Sequence, residues 1–436
     1  MAAWYYIVLT SIVTIIQSSY GTSIDYSRIL DSAKGLQDWI VTIRRDLHKI
    51  PEVGFEELKT SQYVRDTLAS LEIDFKHPVA KTGIVGSIGS GEPVVALRAD
   101  MDALPIQEDV ELPYKSTHAG NMHACGHDAH TAMLLGAARL LKEMEGSLSG
   151  TVLLIFQPAE EGLAGAKHMV DLGTLNGVTA VHGLHVWPGL HSGVFASRAG
   201  TIMAASTRFH AVVRGQGGHG GMPHLARDPV IAAAAIVHAL QPLVSRETDP
   251  LDGAVISVTR LSTGEGATNV IPDTVEVGGS LRGLSEQHFY RLIERATEVM
   301  TKAADMHGCT VEVTWRDPPY IPTVNNLEMV SFVEEAAKGL VGEDRWQHLA
   351  VPTMAAEDFG FMAYAVPGAF TFLGIHNESV GSVHGLHTPR FQLDESVLHL
   401  GSALHAALAL QFVSGRTQVD MDTVQSTLRD LGNDEL

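Results

Sequence analysis

Short apolar segments ending in acids and histidines recur along this chain, with helix-patterned stretches between them. Val94 to Arg98 runs into Asp100-Met-Asp102, and Thr151 to Phe156 ends at Gln157-Pro-Ala-Glu160-Glu161. Ala180 to Leu184 ends at His185, and Ala369 to Leu373 precedes Val383-His-Gly-Leu-His387. Continuous apolar runs of this length suit strands covered on both faces. Strands alternating with helices imply an α/β fold built on a mostly parallel sheet. In such open sheets ligands bind outside the carboxyl ends of the strands. Separate stretches thus deliver Asp100, Asp102, Cys125, His127, Glu160, Glu161, His185 and His387 toward one crevice.

The densest of these stretches is His123-Ala-Cys-Gly-His-Asp-Ala-His130, just ahead of a helical run from Thr131 to Met144. A thiolate and an imidazole two residues apart make half of a divalent-metal site. Leu36 to Lys49 and Thr60 to Leu71 read as earlier helices, the first with Trp39, Ile40, Ile43 and Leu47 at helical spacing. Ile84 to Ile88 reads as a further strand.

A chain of 436 residues exceeds one ordinary core. Between Thr201 and Arg316 the pattern changes to strand (Ile202 to Arg214), helix (Asp228 to Ser245), two strands (Ala254 to Leu261, Thr274 to Leu281), helix (Glu286 to His307) and strand (Thr310 to Trp315). That βαββαβ order is the ferredoxin-like unit. The expected division is 22–200 and 317–432 for a catalytic domain and 201–316 for an inserted lid or dimerisation domain. The loop Gly215-Gln-Gly-Gly-His219-Gly-Gly has neither the P-loop nor the dinucleotide spacing and reads as a hinge or lid loop carrying His219.

A formal net charge of −20 excludes nucleic acid and anionic membrane surfaces as expected partners. It also gives no long-range attraction to an anionic substrate, so carboxylate selectivity must arise locally. Two cysteines, Cys125 and Cys309, rule against a disulfide framework. The uncharged run Ala2 to Tyr20 reads as a signal peptide over 1–21, with no membrane insertion after cleavage. The ending Asn433-Asp-Glu-Leu436 is close to a retention signal, so 433–436 is expected to hold the protein in the endoplasmic reticulum lumen, with secretion the alternative.

Cysteine, glutamate and three histidines exceed one catalytic tetrahedral zinc but suit two ions about 3.5–4 Å apart with a bridging water. A neighbouring carboxylate must then take the water's proton and pass it to the leaving nitrogen. Adjacent Glu160 and Glu161 suit a split role, since neighbours in extended backbone point to opposite sides. The repeated pentapeptide Val-His-Gly-Leu-His leaves His182 or His185, and His384 or His387, as alternatives.

Taken together, Arg44-Arg-Asp-Leu-His-Lys-Ile-Pro-Glu52, Arg98-Ala-Asp-Met-Asp-Ala-Leu-Pro105, His123 to His130, Gln157-Pro-Ala-Glu-Glu-Gly162, Gly183-Leu-His-Val186 and His387-Thr-Pro resemble the amidohydrolase branch of the dimetal aminoacylase/carboxypeptidase family. That branch includes hippurate hydrolases, N-acyl-amino-acid amidohydrolases and plant auxin-conjugate hydrolases. The likeness spans nearly all of Leu36 to Leu410. It implies Cys125, His127, Glu161, His185 and His387 as metal ligands, Glu160 as general base and Asp102 as its supporting carboxylate. It implies His219 as a lid histidine on the substrate, in several relatives from a neighbouring subunit, with Asn269 and Arg282 at substrate-carboxylate positions. Asp100, Glu357 and Asp358 match family motifs without a derivable role. His48, His123, His130, His182, His384 and His399 are left as structural or surface histidines.

The expected activity is metal-dependent cleavage of N-acyl amino acids to a carboxylic acid and a free amino acid. Two divalent ions per subunit are expected, manganese by the resemblance or zinc by the thiolate and imidazole donors. A homodimer is a further expectation. A dipeptidase or carboxypeptidase on the same scaffold and a non-catalytic lumenal binding protein are the alternatives.

Overall fold

The apolar runs become strands of one eight-stranded sheet. The structure, a computed structural model, describes residues 24–413. The expected signal peptide, the retention-like tail and the last part of 317–432 lie outside the described residues. In chain order the first strands are β1 (Asp74–Val79), β2 (Gly83–Gly89), β3 (Val94–Asp100), β4 (Thr151–Gln157), β5 (Val178–His191) and β6 (Phe195–Ser197). Across the sheet they run β1, β2, β4, β3, β5, Gly368–His376, β6, Trp346–His348. The centre, β4 through Gly368–His376, is parallel, with Val94 opposite Thr151 and Asp100 opposite Gln157. Antiparallel pairings lie toward the two edges.

Both faces are covered, as continuous apolar strands require. Along β3, Val95, Leu97 and Ala99 enter one core with helices Gln37–His48, His127–Glu143 and Leu398–Val413, while Ala96 enters a second core with Met169 and Phe359. Leu404 and Leu408 are fully buried, each stabilising the fold by about 1.5–3 kcal/mol.

Several elements differ from the sequence reading. β3 continues through Asp100, and β5 runs past His185 to His191, so both residues lie within strands and not beyond them. The helix after the histidine cluster begins at His127, four residues ahead of Thr131. Its start is set by Gly126, whose φ of 91° is left-handed. A Cβ there would stand 2.5 Å from Val186 Cγ2, so only glycine brings the cluster this close to β5. Helix Tyr26–Gly35 and strand β1 are additional to the elements legible in the sequence; β1 is an edge strand of alternating exposure containing Lys76, His77 and Pro78, with no apolar run to betray it.

Residues 205–315 form a ferredoxin-like unit. Its antiparallel sheet has the order Ala254–Ser262, Thr274–Gly283, Ala205–Arg214, Thr310–Trp315. Helices Pro229–Ser245 and Glu286–Met306 pack on one face, burying Phe209, Ala211, Val213, Val277, Leu281 and Leu292 in a separate core. The strand expected from Ile202 breaks before Ala205: Gly200–Met203 pairs with Thr323–Asn325, and the chain enters the small sheet only after that.

Candidate dimetal centre

A cleft of about 490 Å³ opens at the carboxyl edge of the central strands, lined by Cys125, Glu160, Glu161, His185 and His387, with Arg282 and Glu357 on its wall. Two donor sets share the thiol. Cys125, His127 and His185 offer ligand atoms within 4.8 Å of one another, and so do Cys125, Glu161 and His387. Cys125 Sγ lies 3.4 Å from His185 Nε2 and 3.2 Å from His387 Nε2, which in turn lies 3.0 Å from Glu161 Oε1. Glu160 joins through a third set with His127 and Glu161. The alternatives in the repeated pentapeptide resolve by position: His182 is buried against His405 and Thr371, away from this cluster, and His384 does not line the cleft.

The two glutamates do not sit in extended backbone. They occupy a kinked turn, Glu160–Leu163, flanked by Ala159 (φ 57°) and Ala164 (φ 55°), both left-handed. Such conformations cost a non-glycine residue about 1–3 kcal/mol each and persist only when the surroundings impose them. Here they do. Asp102 accepts from Glu160 N at 3.0 Å through one oxygen and from Glu161 N at 2.9 Å through the other. Glu57 accepts from Ala159 N at 2.8 Å. The Tyr320 hydroxyl accepts from Gly162 N and Ala164 N and donates to Glu160 O. Asp102 also lies 3.3 Å from His127 Nδ1, so one carboxylate orients an imidazole and both glutamates.

Asp100, Glu357 and Asp358 acquire a role through Arg98. This buried guanidinium donates to Asp100, Gln157, Glu357 and Asp358 at 2.7–3.2 Å, tying β3 and β4 to the 357–358 loop. Asp100 in turn lies 2.6 Å from His130 Nδ1, and His130 Nε2 accepts from Val186 N at 2.9 Å. His130 is therefore a buried brace between β3 and β5, not a surface histidine. Tyr320, Glu57 and Arg98 went unread as site residues; each acts across the fold, and no local pattern marks them.

These residues fit a pair of cations. Burial raises the Glu160 carboxyl well above its ordinary value, reinforced by Glu357, Glu161 and Asp358. Burial, and after it Glu161, Glu160, Asp100 and Glu357, raise the Cys125 thiol far above its usual range. Burial opposes charge on His127, yet Asp100 and Asp102 hold it up to about 10. Its Nε2 is buried without a hydrogen-bond partner among the described residues. An excess of buried anions around an orphaned imidazole nitrogen is an affinity for positive charge that divalent ions satisfy.

Not every expected residue enters the cleft. Arg282 does, its Nη1 donating to Met354 O at 2.5 Å. His219 and Asn269 do not: they lie on an exposed two-stranded ribbon, where His219 pairs with Val270 and Gly220 N donates to Asn269 O.

A thiol, three imidazoles and two carboxylates at the carboxyl edge of an α/β sheet, beside a small ferredoxin-like unit, define a dinuclear metallohydrolase. Residues 96–411 match the model of peptidase family M20/M25/M40, and the chain belongs to that family. It is 46% identical to the "IAA-amino acid hydrolase ILR1-like 2" of Arabidopsis thaliana over 90% of each chain. It is 38% identical to the "N-acetylcysteine deacetylase" of Bacillus subtilis, over 86% of this chain and 97% of that one. Among solved structures, a Bacillus subtilis protein described as a dinuclear metal binding peptidase from the M20 family superposes with a TM-score of 0.73 at 35% identity, covering 87% of this chain and 99% of that one.

Proposed function

We propose that the protein hydrolyses the amide bond of N-acyl amino acids, releasing a carboxylic acid and a free amino acid. The observation that carries this is the placement of Glu160, buried and anion-crowded, beside two donor sets that share Cys125. The similarity to proteins described as an IAA-amino acid hydrolase and an N-acetylcysteine deacetylase supports the same reading.

In this reading Cys125, His127 and His185 hold one ion, and Cys125, Glu161 and His387 the other. Bound there, two divalent ions supply Lewis acidity, taking the pKa of a water toward ~7 and polarising the substrate carbonyl. The chain's own groups do the rest. Glu160 takes the proton of the attacking water and returns it to the leaving nitrogen. Asp102 keeps the His127 ring and both glutamates in register. Arg282, on the cleft wall, meets the substrate carboxylate. We propose manganese as the working ion, with zinc the alternative that the thiolate favours.

A homodimer belongs to the same proposal. The ribbon carrying His219 and Asn269 is exposed and outside its own cleft, and Val270, Met222 and Leu225 beside it are 57%, 45% and 65% exposed. Apolar side chains around a stranded substrate-type histidine suit a contact that completes a second copy's cleft.

The test is removal of metal by a chelator, reloading with manganese or zinc, and assay of N-acyl amino acids against unblocked dipeptides. Restored hydrolysis of the acyl amino acids, strongest with manganese, is expected. Preference for dipeptides would move the protein to the dipeptidase or carboxypeptidase alternative, and no hydrolysis of either would remove the enzymatic reading.

A further inference from the structure

At one end of the small sheet's face opposite its helices, three arginines sit on neighbouring strands. Arg282 stands opposite Ser206, and Arg208, two residues further along that strand, stands opposite Ser280. Side chains two apart share a face, so Arg208 and Arg282 project together. On the other side Arg316 N donates to Arg208 O at 2.8 Å, continuing the pairing of Trp315 with Phe209, which sets Arg316 directly across from Arg208. Like charges facing each other across strands destabilise a sheet.

Elsewhere on this face the charges are neutralised: Arg214 pairs with Glu312, and Arg260 and His210 pair with Glu276. Arg208, Arg282 and Arg316 have no carboxylate partner among the described residues. Arg208 makes no side-chain hydrogen bond there. Among the described residues Arg316 reaches Ser206 O and the Tyr320 ring, and its Nε is buried without a hydrogen-bond partner. In a chain of formal charge −20, three unpaired arginines side by side are not a consequence of composition.

Arg282 lines the cleft, and Arg208 and Arg316, outside that lining, lie against the turn that carries the two glutamates. A Cβ placed on Gly162, next to Glu161, would lie 3.9 Å from Nη1 of both Arg208 and Arg316, while Arg282 lines the cleft with Glu161 itself. A carboxylate at Arg282 therefore leaves two further guanidinium groups close by, both able to hold a second carboxylate by charge-assisted hydrogen bonds.

We propose that Arg208 and Arg316 form a second anion subsite that selects N-acyl derivatives of acidic amino acids: the α-carboxylate meets Arg282, and the side-chain carboxylate meets Arg208 and Arg316. This rests on the amidohydrolase reading above. The selectivity is local, as the protein's own negative charge demands.

The experiment compares N-acyl-glutamate with N-acyl-glutamine, equal in shape and different in charge, on the metal-loaded full chain. Wild type is expected to favour the glutamate conjugate by about 10-fold or more in kcat/KM, in line with a charge-assisted bond against a neutral one. Arg208→Gln and Arg316→Gln should each bring the ratio toward one, mainly through KM, with glutamine-conjugate turnover and metal content retained. Rising salt should erode the preference in wild type and not in the variants. A wild-type ratio near one, or equal losses on both conjugates, would overturn the subsite while leaving the amidohydrolase reading intact. Wild type inactive on both conjugates and on neutral acyl amino acids would overturn that reading, and the subsite with it. If a variant fails to fold, the wild-type ratio and its salt dependence still decide the matter.

Discussion

At the residue scale, two adjacent glutamates have opposite proton affinities. Burial and the neighbouring acids push Glu160 up; burial also opposes charge on Glu161, but His387 and His127 take it below its ordinary value. Glu160→Gln keeps the shape and removes the proton acceptor, so metal content should stay normal while turnover falls by about 10²–10⁴. Glu161→Gln replaces an anionic donor with a neutral amide, so occupancy should drop and excess metal should restore part of the rate. Metal analysis and rate across a metal titration check both. If Glu160→Gln is the one rescued by metal, the two roles are exchanged. Cys125 belongs beside them. Buried among acids, its thiol holds its proton tightly unless a cation takes its place, so the metal-loaded protein should resist alkylation, and Cys125→Ser should lose metal and activity together. Rapid alkylation with metal retained would show that the thiol is no ligand.

At the scale of the element, the turn from Ala159 to Ala164 is what makes one glutamate differ from the other, and it is the part least legible in the sequence. The acids and histidines could be read as one cluster because each follows an apolar run, and strand ends converge whatever the details of the loops. The turn could not be read that way. Two left-handed alanines are imposed by Asp102, Glu57 and Tyr320, residues 58, 102 and 158 positions removed in sequence from what they bind. The arginine row was equally hidden, since Arg208, Arg282 and Arg316 become neighbours only through the strand order of the small sheet. Glu57 offers a measurement on the turn itself. Burial, then the charge of Asp102, raises its carboxyl from 4.5 to about 7. Between those values the unfolded chain gives up a proton that the folded protein keeps, so stability falls as pH rises through that window. In metal-free protein Glu57→Gln should remove this component. The melting temperature of wild type relative to the variant is expected to decline from about pH 4.5 to about pH 7 and level off above. A difference that does not change across that window would mean that Glu57 is ionised in the folded state.

For the whole molecule, the open question is why a histidine that resembles a substrate-contacting lid residue stands on an exposed ribbon outside the cleft. Among the described residues of a single chain His219 meets no reacting group: its backbone pairs with Val270, and its ring Nδ1 accepts from Gly221 N, two residues away. A two-fold dimer uses the same patch on both copies, so each copy's ribbon can reach the other's cleft. His219→Ala should then lower turnover by ~10² or more if the ring stabilises the oxyanion, with metal content unchanged. The decisive measurement mixes two inactive proteins. In a dimer of one His219→Ala subunit with one Glu160→Gln subunit, one site has an intact Glu160 and receives an intact His219 from its partner. After equilibration of equal amounts, half the dimers are mixed and each has one working site of two, so roughly a quarter of wild-type activity should return. Activity that stays at the level of the separate mutants while subunits demonstrably exchange would place His219 in its own subunit's cleft, reached by a movement of the small unit and not by a second copy.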